Sequence, residues 1–238
     1  MRRWLAAPTV APLSLLLALV WLLAACGGGG SSGAAPTPQQ LAAPLEPVRV
    51  LYSQSSPLLL PYWVAQEREL FARNGLRVEL TEERDPAAAY RRLAAGEVEA
   101  YLTPITAALV EQAAPDDFVI VGGSRELAIV ANRRLLTLRE FILERFLRAT
   151  LEGIAVIKNQ PDSARAVLAQ RVGPTAAQAS EPVVQTQLIE AGPVPYVTAA
   201  DVAAALPAAV SVDLERLVDT SILQRLEASG FVAALYRA

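Results

Sequence analysis

The chain has 238 residues, of which 53% are hydrophobic, 19% charged and 6% aromatic, enough to bury a real core in one large or two small domains. It contains no histidine and one cysteine, Cys26, which excludes a structural zinc site, a Cys–His or Ser–His nucleophile pair and a disulfide within one chain. The formal net charge is −3, and Arg2 and Arg3 are the only charges before Cys26, so the remainder carries 19 basic and 24 acidic residues; that balance argues against a nucleic-acid partner, which calls for a basic surface. Lys158 is the single lysine, which reads as compositional bias.

The N-terminus has the pattern of a secretory signal. Met1-Arg2-Arg3 is a short basic region, residues 13–23 are apolar except for Ser14, and Ala24, Ala25 and Cys26 follow. The run from Trp4 to Ala25 is also long enough for a plain transmembrane anchor, although Pro8 and Pro12 weaken that helix. Both readings put the body outside the cytoplasmic membrane. Residues 27–47 are rich in Gly, Ser, Ala, Pro, Thr and Gln; such a composition forms no core and reads as a tether over 26–47.

The body, 48–238, opens with alternating strand and helix signals. Residues 48–52 form a short β-rich run, broken by Ser53-Gln54-Ser55-Ser56-Pro57. In 59–73, Leu60, Trp63, Val64, Leu70 and Phe71 share a helical face, and Gly75 suits the left-handed position that ends such a helix. Residues 76–80 alternate as a half-buried strand. Asp85-Pro86 opens a helix that ends at Gly96. Residues 98–103 are strand-like, 106–113 helical, and 118–121 an apolar strand ended by Gly122-Gly123-Ser124. This spacing predicts βαβ units and a parallel sheet.

After Ser124 the pattern becomes helical. Residues 127–158 read as helix, with Phe141, Ile142, Phe146, Leu151, Ile154 and Ile157 as its apolar stripe. Pro161-Asp162 opens another helix, closed by Gly173-Pro174. Thr198 and Asp201 have capping-box spacing, and Asp219 can cap a last helix ending at Gly230. The expected organisation is a signal peptide over 1–25, the tether, an α/β lobe over 48–124 and a mainly helical part over 125–238.

Several stretches resemble one known family. Pro61-Tyr62-Trp63-Val64-Ala65-Gln66-Glu67 and Leu70-Phe71-Ala72-Arg73-Asn74-Gly75-Leu76-Arg77-Val78-Glu79 resemble the first helix and second strand of the substrate-binding proteins of ABC importers for nitrate, sulfonates, taurine and thiamine precursors. Leu93-Ala94-Ala95-Gly96-Glu97-Val98-Glu99-Ala100 resembles their next helix–strand junction. Phe146-Leu147-Arg148-Ala149-Thr150-Leu151-Glu152-Gly153-Ile154 resembles their late crossing helix, and Leu217-Val218-Asp219 with Leu226-Glu227-Ala228-Ser229-Gly230-Phe231 their C-terminus. Leu23-Ala24-Ala25-Cys26 resembles the bacterial lipobox, which implies cleavage before Cys26 and a diacylglycerol on its thiol. Glu69 stands where the family usually has glycine, and Glu99 where it usually has aspartate; both changes read as tolerable at a helix end and a strand start.

The resemblance implies a periplasmic-binding-protein-like α/β fold with two lobes around a hinge. Gly123 to Phe146 spans only 24 positions, and one βαβ unit needs ~30 residues. The second lobe is therefore expected to be missing or reduced. Ligands of open α/β sheets sit at the carboxyl ends of the strands. The candidates there are Ser53, Gln54, Ser55 and Ser56 after the first strand, Tyr62 behind them, Thr103 and Thr106 after the third, and Ser124 and Arg125 after the fourth. Their hydroxyls and amides can bind an anion or amide, Tyr62 can stack on a ring, and Arg125 can pair with an anion. In the bland alternative the serines cap helices, Tyr62 is core and Arg125 is solvated.

No metal or cofactor pattern appears, and none is expected. Gly122-Gly123 lacks the Gly-Lys-Ser/Thr of a phosphate loop. Histidine-dependent chemistry of the thiamine-precursor branch cannot transfer to a chain without histidine, so no enzyme activity is expected. Arg133-Arg134 and Arg145/Arg148 read as exposed helix faces. The resemblance thus implies a lipid-anchored, extracytoplasmic solute-binding component of an ABC transporter for a small organic or anionic solute, partnered by permease subunits and by the membrane through its lipid. The alternative is a shortened paralogue that docks at the membrane without a ligand of its own.

Overall fold

The structure, a computed structural model, describes residues 44–113, 117–206 and 213–237. The readings of a signal peptide, of Cys26 and of most of the tether lie outside these residues.

The sheet has five strands in the order β2-β1-β3-β5-β4. They are β1 (Glu46–Tyr52), β2 (Leu76–Glu82), β3 (Ala100–Thr103), β4 (Phe118–Gly123) and β5 (Ala128–Asn132). β1 runs parallel to β2, from Glu46↔Leu76 to Tyr52↔Glu82, and parallel to β3. β1 starts at Glu46, so the last two residues read as tether belong to the sheet.

β5 corrects the helical reading of 127–158. Ala128, Ile129, Val130 and Ala131 are fully buried, because β5 lies between β3 and β4 with both faces covered. A strand covered on both faces shows no alternation, and periodicity cannot tell it from a buried helix. β5 is antiparallel to both neighbours, as it must be when residues 124–127 alone join it to β4, since a parallel crossover needs a dozen residues or more. Among the described residues there is one sheet.

Helices cover both faces. On one side α1 (Leu60–Glu67), α2 (Leu70–Arg73), α6 (Glu140–Asn159), α7 (Pro161–Val172) and α12 (Ser221–Ala228) pack over Val48, Val50, Val119 and Ile129. On the other, α3 (Pro86–Ala94), α4 (Ala107–Ala113), α10 (Ala199–Ala205) and α11 (Leu214–Leu217) cover Leu51, Tyr101, Ile120 and Val130. The two residue sets alternate along each strand, as a pleated sheet requires.

The caps predicted at Asp85 and Thr198 form. Asp85 accepts from Ala87 N–H at 2.9 Å. Thr198 and Asp201 make both bonds of a capping box; Asp219 instead sits one residue before the N-cap Thr220 of α12 and accepts from Ser221 N–H at 3.0 Å, and a further helix follows Gly230. Gly75, Gly96 and Gly230 take the left-handed backbone after their helices. The remaining helices are α5 (Arg133–Leu138), α8 (Pro174–Ala179), α9 (Glu181–Val184) and α13 (Phe231–Leu235), and one π-helical turn spans Gln185–Ile189. On α6, Ile142, Phe146, Leu151, Ile154 and Ile157 are buried as expected, but Phe141, in the first turn of α6, is 46% exposed.

Candidate functional site

Strands β1 to β4 end at one edge of the sheet, and a cavity of about 230 Å³ opens there. One wall is Leu58, Pro61 and Tyr62, from the chain between β1 and α1. The floor is Gly123, Ser124 and Leu127, from the β4–β5 turn. Thr150 and Ile154 of α6 form the back. The facing wall is the segment 185–196, with Gln187, Leu188, Val194 and Tyr196.

This geometry depends on local chemistry. Gly123 has φ +113°, and a Cβ there would lie 2.3 Å from the Leu127 carbonyl oxygen, so only glycine allows so tight a turn. Gly122 lets 185–196 approach, since its Cβ would sit 3.2 Å from the Pro195 carbonyl oxygen. The segment is fastened at three points. Gly123 N–H donates to the Pro195 carbonyl at 2.9 Å. The Tyr196 hydroxyl donates to Glu227 at 2.8 Å; burial, reinforced by this carboxylate, pushes its phenol up to about 12. The Lys158 ammonium donates to the carbonyl of Ile189 at 2.5 Å and to that of Ala191. The single lysine, read as compositional bias, thus closes the end of the π-helical turn, and its own desolvation lowers its pKa.

Of the sequence candidates, the structure brings Tyr62 and Ser124 together on this cavity. Tyr62 is 3% exposed and stacks on Phe146, with centroids 5.9 Å apart; burial pushes its phenol far above the usual range. It is a core residue that also walls the cavity. Ser124 Oγ accepts from Glu126 and Leu127 N–H, which leaves its own proton free to donate.

The other candidates lie elsewhere. By strand alternation Ser53 and Thr103 share the opposite face with Tyr101; their hydroxyls act on the buried Tyr101 phenol, which burial raises against their opposing effect. Ser56 caps the turn before α1 by accepting from Leu58 N–H, and Thr106 caps α4 by accepting from Leu109 N–H. Gln54 and Ser55 are exposed. Arg125 is exposed too, and its charge acts on Asp201 of α10.

Thr150 and the whole 185–196 wall escaped the sequence reading. Thr150 had one signal, a β-branched hydroxyl in an apolar helical stretch. Its Oγ donates to the Phe146 carbonyl at 2.9 Å, so its lone pairs remain as acceptors. The wall has no periodicity to read. Among the described residues no cluster of His, Cys, Asp or Glu could hold a metal.

No family model matches the sequence, and no curated protein does. The structure is similar to solved ones. A protein from Bordetella bronchiseptica RB50 superposes with a TM-score of 0.56 at 10% identity, over 77% of this chain and 98% of that one. A periplasmic protein from Methylobacillus flagellatus KT, described as a putative sulfonate-binding protein of an ABC transporter, gives 0.53 at 8% identity, over 79% and 96%. A Candida albicans gene product described as having the generic periplasmic-binding-protein fold gives 0.50 at 10% identity, over 82% and 92%. At such identities the likeness is one of architecture: this chain has the periplasmic-binding-protein fold, built here around one sheet.

Proposed function

We propose that the chain is the lipid-anchored, extracytoplasmic solute-binding component of an ABC transporter, and that it takes a small uncharged organic solute into the cavity at the end of β4. The observation that carries this reading is the cavity itself. It lies at the carboxyl edge of the sheet, where open α/β folds bind ligands, and 185–196 supplies the opposing wall. Its volume equals that of about seven or eight waters, which suits a compact solute.

The lining selects against an anion. It offers the Tyr62 ring, the Gln187 amide, hydroxyls and aliphatic surface, but no charged side chain. Arg125, the candidate for pairing with a sulfonate or carboxylate, is outside it. Behind the facing wall the Glu227 carboxylate at Tyr196 is offset by the Lys158 ammonium at Ile189 and Ala191, which leaves no net positive charge to hold an anion. The sulfonate named for the Methylobacillus flagellatus protein therefore suits this cavity less well than a neutral amide, alcohol or heterocycle.

Calorimetric titration of wild type and Thr150→Val with panels of neutral and anionic solutes tests the reading. A neutral compound should bind, and the variant, which loses its acceptor, should bind it several-fold more weakly. Binding of anions alone would overturn the solute class, and no binding at millimolar solute would overturn the function. The anchor is tested separately: Cys26→Ser should abolish acylation, read as loss of the acyl mass and of detergent-phase partitioning, with the fold of the body unchanged.

A further inference from the structure

The large hydrophobic side chains that stand exposed among the described residues are Leu138 at 64%, Phe141 at 46% and Leu45 at 39%. Leu138 and Phe141 flank Arg139, and Leu45 lies next to Glu46, the residue that Arg139 pairs with. The guanidinium of Arg139 lies 6.0 Å from the Phe141 ring centroid. The patch sits where β1 begins and β5 ends, at the opposite edge of the sheet from the solute cavity.

Arginines surround it. Arg145 lies 5.4 Å from the Phe141 centroid, Arg134 shares a groove with Leu138, and Arg73 and Arg148 share a cleft with Arg145. Of the carboxylates nearby, Glu46 pairs with Arg139, Glu140 with Arg225 and Glu99 with Arg49, while Glu144 lines the cleft of Arg73, Arg145 and Arg148. Arg134 and Arg145 have no ion-pair partner among the described residues. A basic, apolar surface of this kind on a chain that is acidic from Cys26 onward is the composition that settles at a lipid interface.

We propose that this patch rests on an anionic phospholipid bilayer. The inference uses the tethered, extracytoplasmic reading of the N-terminus and does not use the cavity. Leu45 is both a member of the patch and the point where the tether meets the body. Eighteen residues lie between it and Cys26, so even a fully extended connection holds the patch within roughly 65 Å of an anchored Cys26. At that range a weak surface suffices, because the encounter is intramolecular. A second copy of the chain is a poorer occupant, since a two-fold contact would set the same arginines face to face. The docked body points its cavity away from the bilayer, toward solution. It collects solute in that orientation and must leave the surface to deliver it, which a weak contact permits.

Vesicle flotation of the chain from residue 26 onward with Cys26→Ser, which removes the acyl contribution, tests the proposal. Wild-type body should float with phosphatidylcholine–phosphatidylglycerol vesicles and stay behind with pure phosphatidylcholine. Arg134→Ala with Arg145→Ala should weaken partitioning roughly fivefold per arginine. Leu138→Ser with Phe141→Ser should weaken it tenfold or more while the unfolding midpoint is kept, because both side chains are exposed. Equal flotation of wild type and the apolar double variant would overturn the proposal, as would failure of the wild type to float. Self-association that the double variant abolishes would overturn it in favour of a second copy. Solute titration of the same variants should match wild type, so failure of the cavity reading and failure of this one are separable.

Discussion

Gly153 of α6 packs directly against the carbonyl of Pro61 at the start of α1; a Cβ at Gly153 would lie 2.4 Å from that oxygen. Two helices that form adjoining walls of the cavity touch through this point. Alanine is the better helix former by about 0.5–1 kcal/mol, but overpacking against fixed backbone costs about 1–3 kcal/mol. Gly153→Ala should therefore lower stability by roughly 1 kcal/mol or more, read from the urea midpoint, and weaken solute binding by displacing Tyr62.

Glu69 makes the opposite case. It joins α1 to α2 with φ +55°, the positive φ of a non-glycine residue among those described, and its side chain is exposed. The left-handed backbone costs an L-residue about 1–2 kcal/mol, so the substitution is not as neutral as its place at a helix end implied. Glu69→Gly should raise stability by about 0.5–1 kcal/mol after the extra entropy of glycine in the unfolded chain is subtracted. An unchanged or lower midpoint would mean that the Glu69 side chain offsets this strain.

What the sequence revealed and what it hid divide along physical lines. Asp85, the Thr198–Asp201 pair, Gly75 and Gly230 act within a few residues of themselves, so their caps and stops could be read locally. β5 could not, because burial on both faces erases its period. Phe141 fits the apolar stripe of α6 by spacing, yet it is exposed, with the guanidinium groups of Arg139 and Arg145 over its ring. Glu99 looked like a tolerated change at a strand start; its carboxylate in fact accepts the Arg49 N–H at 2.6 Å across the sheet. The cavity was half legible: strand ends pointed to Tyr62 and Ser124, while the 185–196 wall is placed by hydrogen bonds from residues far along the chain.

Buried phenols predict an alkaline limit to stability. Burial raises the phenols of both Tyr62 and Tyr90 well above 10 in the folded chain, whereas the unfolded chain ionises them near 10. Their contribution is complete below about pH 10 and is lost as pH rises beyond it, because the unfolded state then sheds protons that the folded state keeps. The urea midpoint should fall above pH 10, with each buried phenol contributing up to about 1.4 kcal/mol per pH unit. Tyr62→Phe should flatten that fall. A slope equal to wild type would place the Tyr62 hydroxyl in contact with solvent through the cavity.

Lys158 offers the most direct test of the substitute wall. Its ammonium donates to the Ile189 and Ala191 carbonyls, while Gly123 and Glu227 hold the other end of the segment through Pro195 and Tyr196. Hydrogen bonds to a charged donor contribute about 1.5–3 kcal/mol in partly buried settings. Lys158→Met keeps the length of the side chain and removes the donor, so two carbonyls lose their partner. Hydrogen exchange should accelerate over 185–192 and stay slow in the sheet. Solute affinity should fall about tenfold, because binding must then order the wall as well as the ligand. Lys158→Arg should restore little, since a planar fork cannot converge on both carbonyls as a compact ammonium does. If exchange over 185–192 is unchanged in Lys158→Met, the attachments at Pro195 and Tyr196 alone hold the wall, and the lysine serves the helix end and not the site.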